Sequence, residues 1–206
     1  MPIRNACFIS YRHGQHELMG RFVEQLYEAL ASELEAVTDL RIYLDKSRLQ
    51  GGDLYNPALA RSLCESACMI MIFTQTYFSQ EHRYCAREFA AMCELERKRM
   101  TAGAEHGLII PVVLRRFEAL PRSISSKRQV YRFEKYTVSG RRLILNRHFD
   151  ADIQKMARYI ADRVQELRAD AIDCTDFRLP DDNDVTELIS DMESRSAAFP
   201  GRERSL

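Results

Sequence analysis

The sequence predicts an α/β fold in which a five-stranded parallel sheet carries helices on both faces. Three observations lead there. Short apolar strand runs alternate with helical stripes five times along the chain, the pattern of a parallel sheet covered on each side. The runs Ala67–Phe73 and Leu108–Leu114 are apolar without alternation, as strands buried on both faces are. Right-handed crossovers then leave few ways to order the strands.

The elements follow in order. Ala6-Cys7-Phe8-Ile9-Ser10 is a short buried strand. From about His16 to Val37, the residues Leu18, Phe22, Leu26, Leu30 and Leu34 recur every four positions. That stripe, widened by Met19, Val23 and Tyr27, is an amphipathic helix. Leu40–Leu44 alternates, as an edge strand does. Gly51-Gly52 and Asn56-Pro57 punctuate the next loop, and Pro57 opens a helix running to about Ser66.

Ala67–Phe73 is the central strand, and a long helix spans about Ser79 to Met100. Gly107 introduces the fourth strand, whose Pro111 costs a ladder hydrogen bond and predicts an outer position or a bulge. Val130–Phe133 is a weak fifth strand at the other edge. Ile153, Met156, Ala157, Ile160, Ala161, Val164 and Leu167 form the final helical stripe. Strands one and three are strongly apolar while strand two alternates, so the flavodoxin-like order 2-1-3-4-5 fits best. No internal repeat is visible.

A length of 206 residues suits one such domain with an appendage. Residues 1–168 are expected to form it. Residues 169–206 turn acidic and predict a mostly disordered tail, with at most a short helix around Val185 to Met192. The zero net charge does not point to nucleic acid or an anionic membrane. No apolar run approaches a membrane span, and the stretch near the start is too short for a signal-peptide core, so a cytoplasmic location is expected. Six cysteines without a C-x-x-C pair read as buried reduced thiols rather than a disulfide framework. The scattered histidines show no metal-ligand spacing, and no metal is assigned.

In open parallel sheets, ligands bind outside the carboxyl ends of the strands, where the strand order reverses. That edge gathers Ser10, Tyr11 and Arg12 after strand one, the loop from Asp45 to Gly52, Thr74, and the helix carrying Tyr84 and Glu88. Tyr84 and Glu88 are four residues apart and share a helix face. An aromatic plate beside a carboxylate can hold a flat cationic ring and stabilise positive charge where that ring leaves. Taken as an isolated pair, a solvent-facing Glu beside a half-buried Tyr is the commoner arrangement.

The neighbours carry weaker signals. Arg12 can contact phosphate or stack on a base, or make a surface salt bridge. Asp45 is read first as a cap for the loop that follows, with substrate contact second. Gly51-Gly52 lacks the G-K-[ST] of a phosphate-binding loop and supplies mobility. The Thr74 hydroxyl is either a ribose contact or, more often at a strand end, solvated or capping. Cys85 is read as packing, because His82 is the one histidine near enough to activate it. The basic stretch from Arg115 to Arg147 is read as a solvated loop neutralised by the acidic tail rather than a nucleic-acid surface.

Several of these segments, in this order, resemble the signature boxes of TIR (Toll/interleukin-1 receptor homology) domains. They are Phe8-Ile9-Ser10-Tyr11-Arg12, Tyr43-Leu44-Asp45 followed by Leu49-Gln50-Gly51-Gly52, Ser66 before strand three, and Tyr84-Cys85-Ala86-Arg87-Glu88-Phe89. The match runs from about Ala6 to Leu114 and more weakly to Leu167. Some TIR domains are scaffolds that assemble through the loop after strand two, where Leu49, Gly51 and Gly52 lie. Others cleave NAD+ between nicotinamide and ribose, with an essential Glu in a W/Y-C-x-x-E box that Tyr84–Glu88 matches.

The resemblance therefore implies an NAD+ glycohydrolase of the bacterial immune-effector kind, with linear or cyclic ADP-ribose products. Glu88 is its catalytic candidate and Tyr84 the stacking partner of nicotinamide, with Ser10, Tyr11, Arg12, Asp45 and Thr74 around the substrate. NAD+ is the substrate and no resident cofactor is implied. The implied partners are other TIR domains, through self-association, and an upstream sensor protein or nucleotide signal. The alternatives are a non-enzymatic assembly module and a nucleotide sensor that binds without cleaving.

Overall fold

The computed structural model describes residues 3–13, 17–44, 55–101, 104–136, 143–168 and 173–196. Five parallel strands run β1 (Asn5–Tyr11), β2 (Arg41–Leu44), β3 (Ser66–Phe73), β4 (Ile109–Val113) and β5 (Tyr131–Arg132), in the order β2-β1-β3-β4-β5. The helices are α1 (Glu17–Glu35), α2 (Tyr55–Cys64), α3 (Arg83–Arg99), the short α4 (Arg122–Ser125), α5 (Arg147–Arg168) and α6 (Asp182–Ser196). The doubly covered α/β architecture and its strand order are those the sequence predicts.

The sheet is built as its composition dictates. Every residue of β3 is buried, and β1 is buried apart from its two ends. β2, on the edge, is only partly covered. α1 and α5 pack together on one face, and α2 and α3 lie on the other. The α5 stripe Ile153, Met156, Ile160 and Val164 is fully or almost fully buried against the sheet, and each such side chain contributes about 1.5–3 kcal/mol by leaving water.

β4 corrects one expectation. It lies inside the sheet with regular register, Met71 facing Pro111. Leu114 N–H donates to the Phe73 carbonyl and Met69 N–H to the Leu108 carbonyl, so even-numbered β4 residues bond β3. Pro111 turns its nitrogen to the opposite side, where β5 pairs only with Val112 and Val113. The missing donor thus falls outside both ladders, and neither an edge nor a bulge is needed.

Two further expectations are overturned beyond Arg168. Cys64, at the end of α2, and Cys174 form a disulfide with their Cα atoms 5.8 Å apart, so these two are not free thiols. The expected disorder does not hold for residues 173–196 either. α6 is longer than the short helix anticipated and packs on α3 and α4. Val185 and Ile189 are fully buried and Met192 nearly so, while the acidic residues around them face outward. The other four cysteines are free, with Cys7, Cys68 and Cys85 buried. Among the described residues, no helix is long and apolar enough to cross a membrane.

Candidate functional site

Ser10 is the penultimate residue of β1, so its side chain sits at the carboxyl edge of the sheet. Period-two alternation points it to the face that α3 covers, and it is 1% exposed. A short 3₁₀ turn, Gln80–His82, leads into α3, which places Glu88 in the second turn of the helix above β1. Glu88 is 7% exposed. The Ser10 hydroxyl donates to its Oε2 at 2.5 Å. The solvent-facing arrangement, commoner for such a pair in isolation, is not the one found: Glu88 is buried.

A residue that sequence reasoning passed over completes this cluster. Tyr77, in the turn after β3, is fully buried, and its phenolic oxygen lies 2.5 Å from Ser10 Oγ. Its ring packs edge-on against Phe78 with centroids 4.9 Å apart and lies 6.3 Å from Phe73. Burial, reinforced by Cys85 and Glu88 nearby, pushes the Tyr77 phenol well above its ordinary pKa. The signal for it was the pair Tyr77-Phe78 in an otherwise polar turn, where adjacent aromatics must find cover.

Cys85 sits on the same helix, 5% exposed. Burial first, and then the charge of Glu88, push its thiol well above the usual value, with Arg12 opposing. A thiol held protonated is no nucleophile, which agrees with the packing role.

Arg12, just beyond β1, donates from Nη1 to the Thr76 hydroxyl at 2.6 Å, and the Thr76 and Thr74 hydroxyls are 3.4 Å apart. Its Nε is buried without a hydrogen-bond partner among the described residues. Tyr11 is half-buried, with its ring 4.2 Å from that of His13. Ser10, Tyr11, Arg12, Thr74 and Glu88 thus share one end of the sheet. Asp45, Leu49, Gly51 and Gly52 lie outside the described residues.

Tyr84 is placed differently. It is 52% exposed, one turn before Glu88, with the Arg87 guanidinium 5.4 Å from its ring centre. It lines a cavity of about 650 Å³ together with Pro57 and Ala60 of α2, Arg83 and Arg87 of α3, and Arg178. Asp182, at the start of α6, accepts from Arg87 and lies 3.8 Å from Arg83 Nη2. The Tyr84 ring therefore faces the joint between α3 and the C-terminal arm, while Glu88 turns inward to Ser10. One acid of that arm, Asp182, pairs here with both Arg83 and Arg87. Within the basic stretch, Arg128 pairs with Glu96 and Arg132 with Glu134.

The TIR domain family model matches residues 7–145, from β1 through the turn before α5. The chain belongs to the TIR domain family. Among solved structures, it is similar to the TIR domains of the activated Roq1 resistosome directly recognising the pathogen effector XopQ. That similarity is 18% identity with a TM-score of 0.40, over 78% of this chain and 95% of that chain. No curated protein matches. The matched span contains Ser10, Arg12, Tyr77, Tyr84 and Glu88. The arm that carries Cys174 and α6 lies beyond it.

Proposed function

We propose that this TIR domain is an NAD+ glycohydrolase that cleaves the bond between nicotinamide and ribose, with Glu88 as its catalytic carboxylate. The observation that carries the reading is the position of Glu88: a nearly buried carboxylate, oriented by Ser10, at the carboxyl edge of the sheet. Nicotinamide in NAD+ is a pyridinium and leaves as a neutral molecule, so no general acid is needed, unlike in ordinary glycoside hydrolysis. Positive charge develops on the ribose as the bond stretches. A carboxylate shielded from water stabilises that charge more in the transition state than in the ground state.

The remaining roles follow from chemistry and position. Tyr84, one helical turn from Glu88 on α3, is the ring assigned to stack on the departing nicotinamide. The buried Nε of Arg12 is the donor assigned to the substrate's pyrophosphate. Water, or the substrate's own adenine, captures the sugar. Self-association, through the loop after β2 in which Leu49, Gly51 and Gly52 lie, is part of the same proposal. So are action as a bacterial immune effector and activation by an upstream sensor or a nucleotide signal.

A second reading is an assembly module without catalysis. It is favoured by the separation between the Tyr84 ring, which faces the α2–α3 cavity, and Glu88, which faces Ser10. Incubation with NAD+ at a protein concentration where the domain self-associates decides between them. Nicotinamide release by the wild type and its loss in Glu88→Gln supports the enzyme. Equal release, or none from an assembled wild type, overturns it in favour of the module.

A further inference from the structure

We propose that Tyr77 is a positioning residue for Glu88, acting through Ser10. The inference rests on the reading of Glu88 as the reacting carboxylate and extends the site by a residue outside the strand and helix boxes. Ser10 has one hydroxyl proton, and it lies on the 2.5 Å bond to Glu88 Oε2. The equally short contact between Ser10 Oγ and the Tyr77 oxygen must then carry the proton of Tyr77. The direction of the chain is thereby fixed: the phenol of Tyr77 donates to Ser10, and Ser10 donates to the carboxylate.

The surroundings keep it that way. Tyr77 is fully buried and Ser10 1% exposed, so water does not compete for either hydroxyl. The Tyr77 phenol stays protonated because burial and the neighbouring acidic groups push its ionisation well above the ordinary range. Its ring is clamped by Phe73 and Phe78, which fixes where the hydroxyl points. A hydrogen bond that polarises Ser10 makes it a better donor, so the carboxylate is held more firmly in its ionised form. The chain thus ties the end of β1 to the turn after β3 and to α3, with Ser10 67 residues from Tyr77 and 78 from Glu88. It fixes the Oε2 oxygen of Glu88 through two hydroxyl groups.

Among the described residues, the ionisable groups that act on Tyr77 and Cys85 here include Cys93 and Glu88 from α3 and Arg12 from beyond β1. Burial pushes the Cys93 thiol up to about 11 and the Cys85 thiol well above its usual value.

The test uses the whole chain and two readouts. The first is the ¹³C NMR titration of the Glu88 side-chain carboxyl, identified by its disappearance in Glu88→Gln. It compares the wild type with Tyr77→Phe, Ser10→Ala and the double variant. Tyr77→Phe keeps the ring and removes only the donor. We expect its midpoint to move to higher pH by about half a unit, the size of one lost second-layer hydrogen bond. Ser10→Ala should move it further, and the double variant should match Ser10→Ala, since without Ser10 the phenol has nothing to act through.

The second readout is nicotinamide release against pH, whose acid limb should shift by the same amount in Tyr77→Phe. Identical NMR midpoints in all four proteins overturn the inference, as does a Tyr77 effect that persists undiminished without Ser10. Should Tyr77→Phe fail to fold, Ser10→Ala against the wild type still decides whether the hydroxyl chain holds Glu88. An absence of nicotinamide release from every protein strikes at the glycohydrolase reading alone, because the NMR titration does not depend on turnover.

Discussion

Glu88 and Glu96 lie about two turns apart on α3 and are held in different ways. Glu88 accepts a hydrogen bond from a serine hydroxyl backed by a tyrosine. Glu96 is gripped by both terminal nitrogens of Arg128, at 2.7 and 2.6 Å, and also accepts the Leu108 backbone N–H. Burial raises the Glu96 pKa, but the Arg128 hydrogen bonds and charge outweigh it and leave the carboxyl below its ordinary value. Gly107 approaches so closely that a Cβ there would lie 2.7 Å from both Arg128 Nη1 and Glu96 Oε2. The difference teaches that burial alone does not mark a working carboxylate. A guanidinium fork uses up both oxygens and most of the field of an acid, which makes a clamp between α3 and the segment that joins α4 to β5. Hydroxyl donors orient an acid and leave its charge available to a developing cation.

The comparison can be broken at either glutamate. The largest effect is expected from Glu88→Gln, which should lower nicotinamide release by about a thousandfold, the scale of losing a main electrostatic contact in a transition state. Its stability should change by less than about 1 kcal/mol, because the amide oxygen still accepts from Ser10. Kinetics and urea unfolding on the same preparation check both halves. Arg128→Ala should do the reverse, costing about 2–3 kcal/mol of stability by stranding a half-buried carboxylate while leaving the pH profile of turnover in place.

Acid sharpens the contrast. Glu96 has its pKa lowered in the folded protein, so its ion pair contributes fully above the unfolded carboxyl's value. That contribution should disappear as pH falls through the lower folded value. Urea midpoints measured from pH 6 downward should fall less steeply for Glu96→Gln than for the wild type, with about pH 4.5 as the upper bound of the divergence. The smallest effect is expected at Gly107→Ala, about 1 kcal/mol, since the methyl group presses on the ends of two flexible side chains rather than on backbone. An unchanged unfolding midpoint there would mean that the fork re-forms without cost.

Much of the sheet and part of the site were legible in the sequence. β1, β3 and β4 announced themselves as apolar runs because both their faces are covered, and α1 and α5 as regular stripes. β5 is two residues long, too short for periodicity to delimit. α6 was hidden by its charge: nine acids between Asp170 and Glu193 drew attention from Val185, Ile189 and Met192, whose four- and three-residue spacing puts them on one face. Cys64 and Cys174 are 110 residues apart, and no spacing rule pairs such cysteines before the fold brings α2 and the arm together. The strand-end rule placed Ser10, Arg12 and Glu88 at one end of the sheet, where the structure also has them. It had no means of showing that Tyr84 and Glu88, neighbours on one helix face, look into different surroundings.

The sulfur bridge has a consequence for the arm that ends in α6. Should that helix lift off its neighbours, it stays tethered at Cys174, and the chain from there to Asp182 reaches at most roughly 28 Å when fully drawn out. Re-docking is then an intramolecular event at high effective concentration, insensitive to dilution. Cutting the tether chemically leaves the same helix held from the end of α5 at Arg168, by a longer stretch of chain.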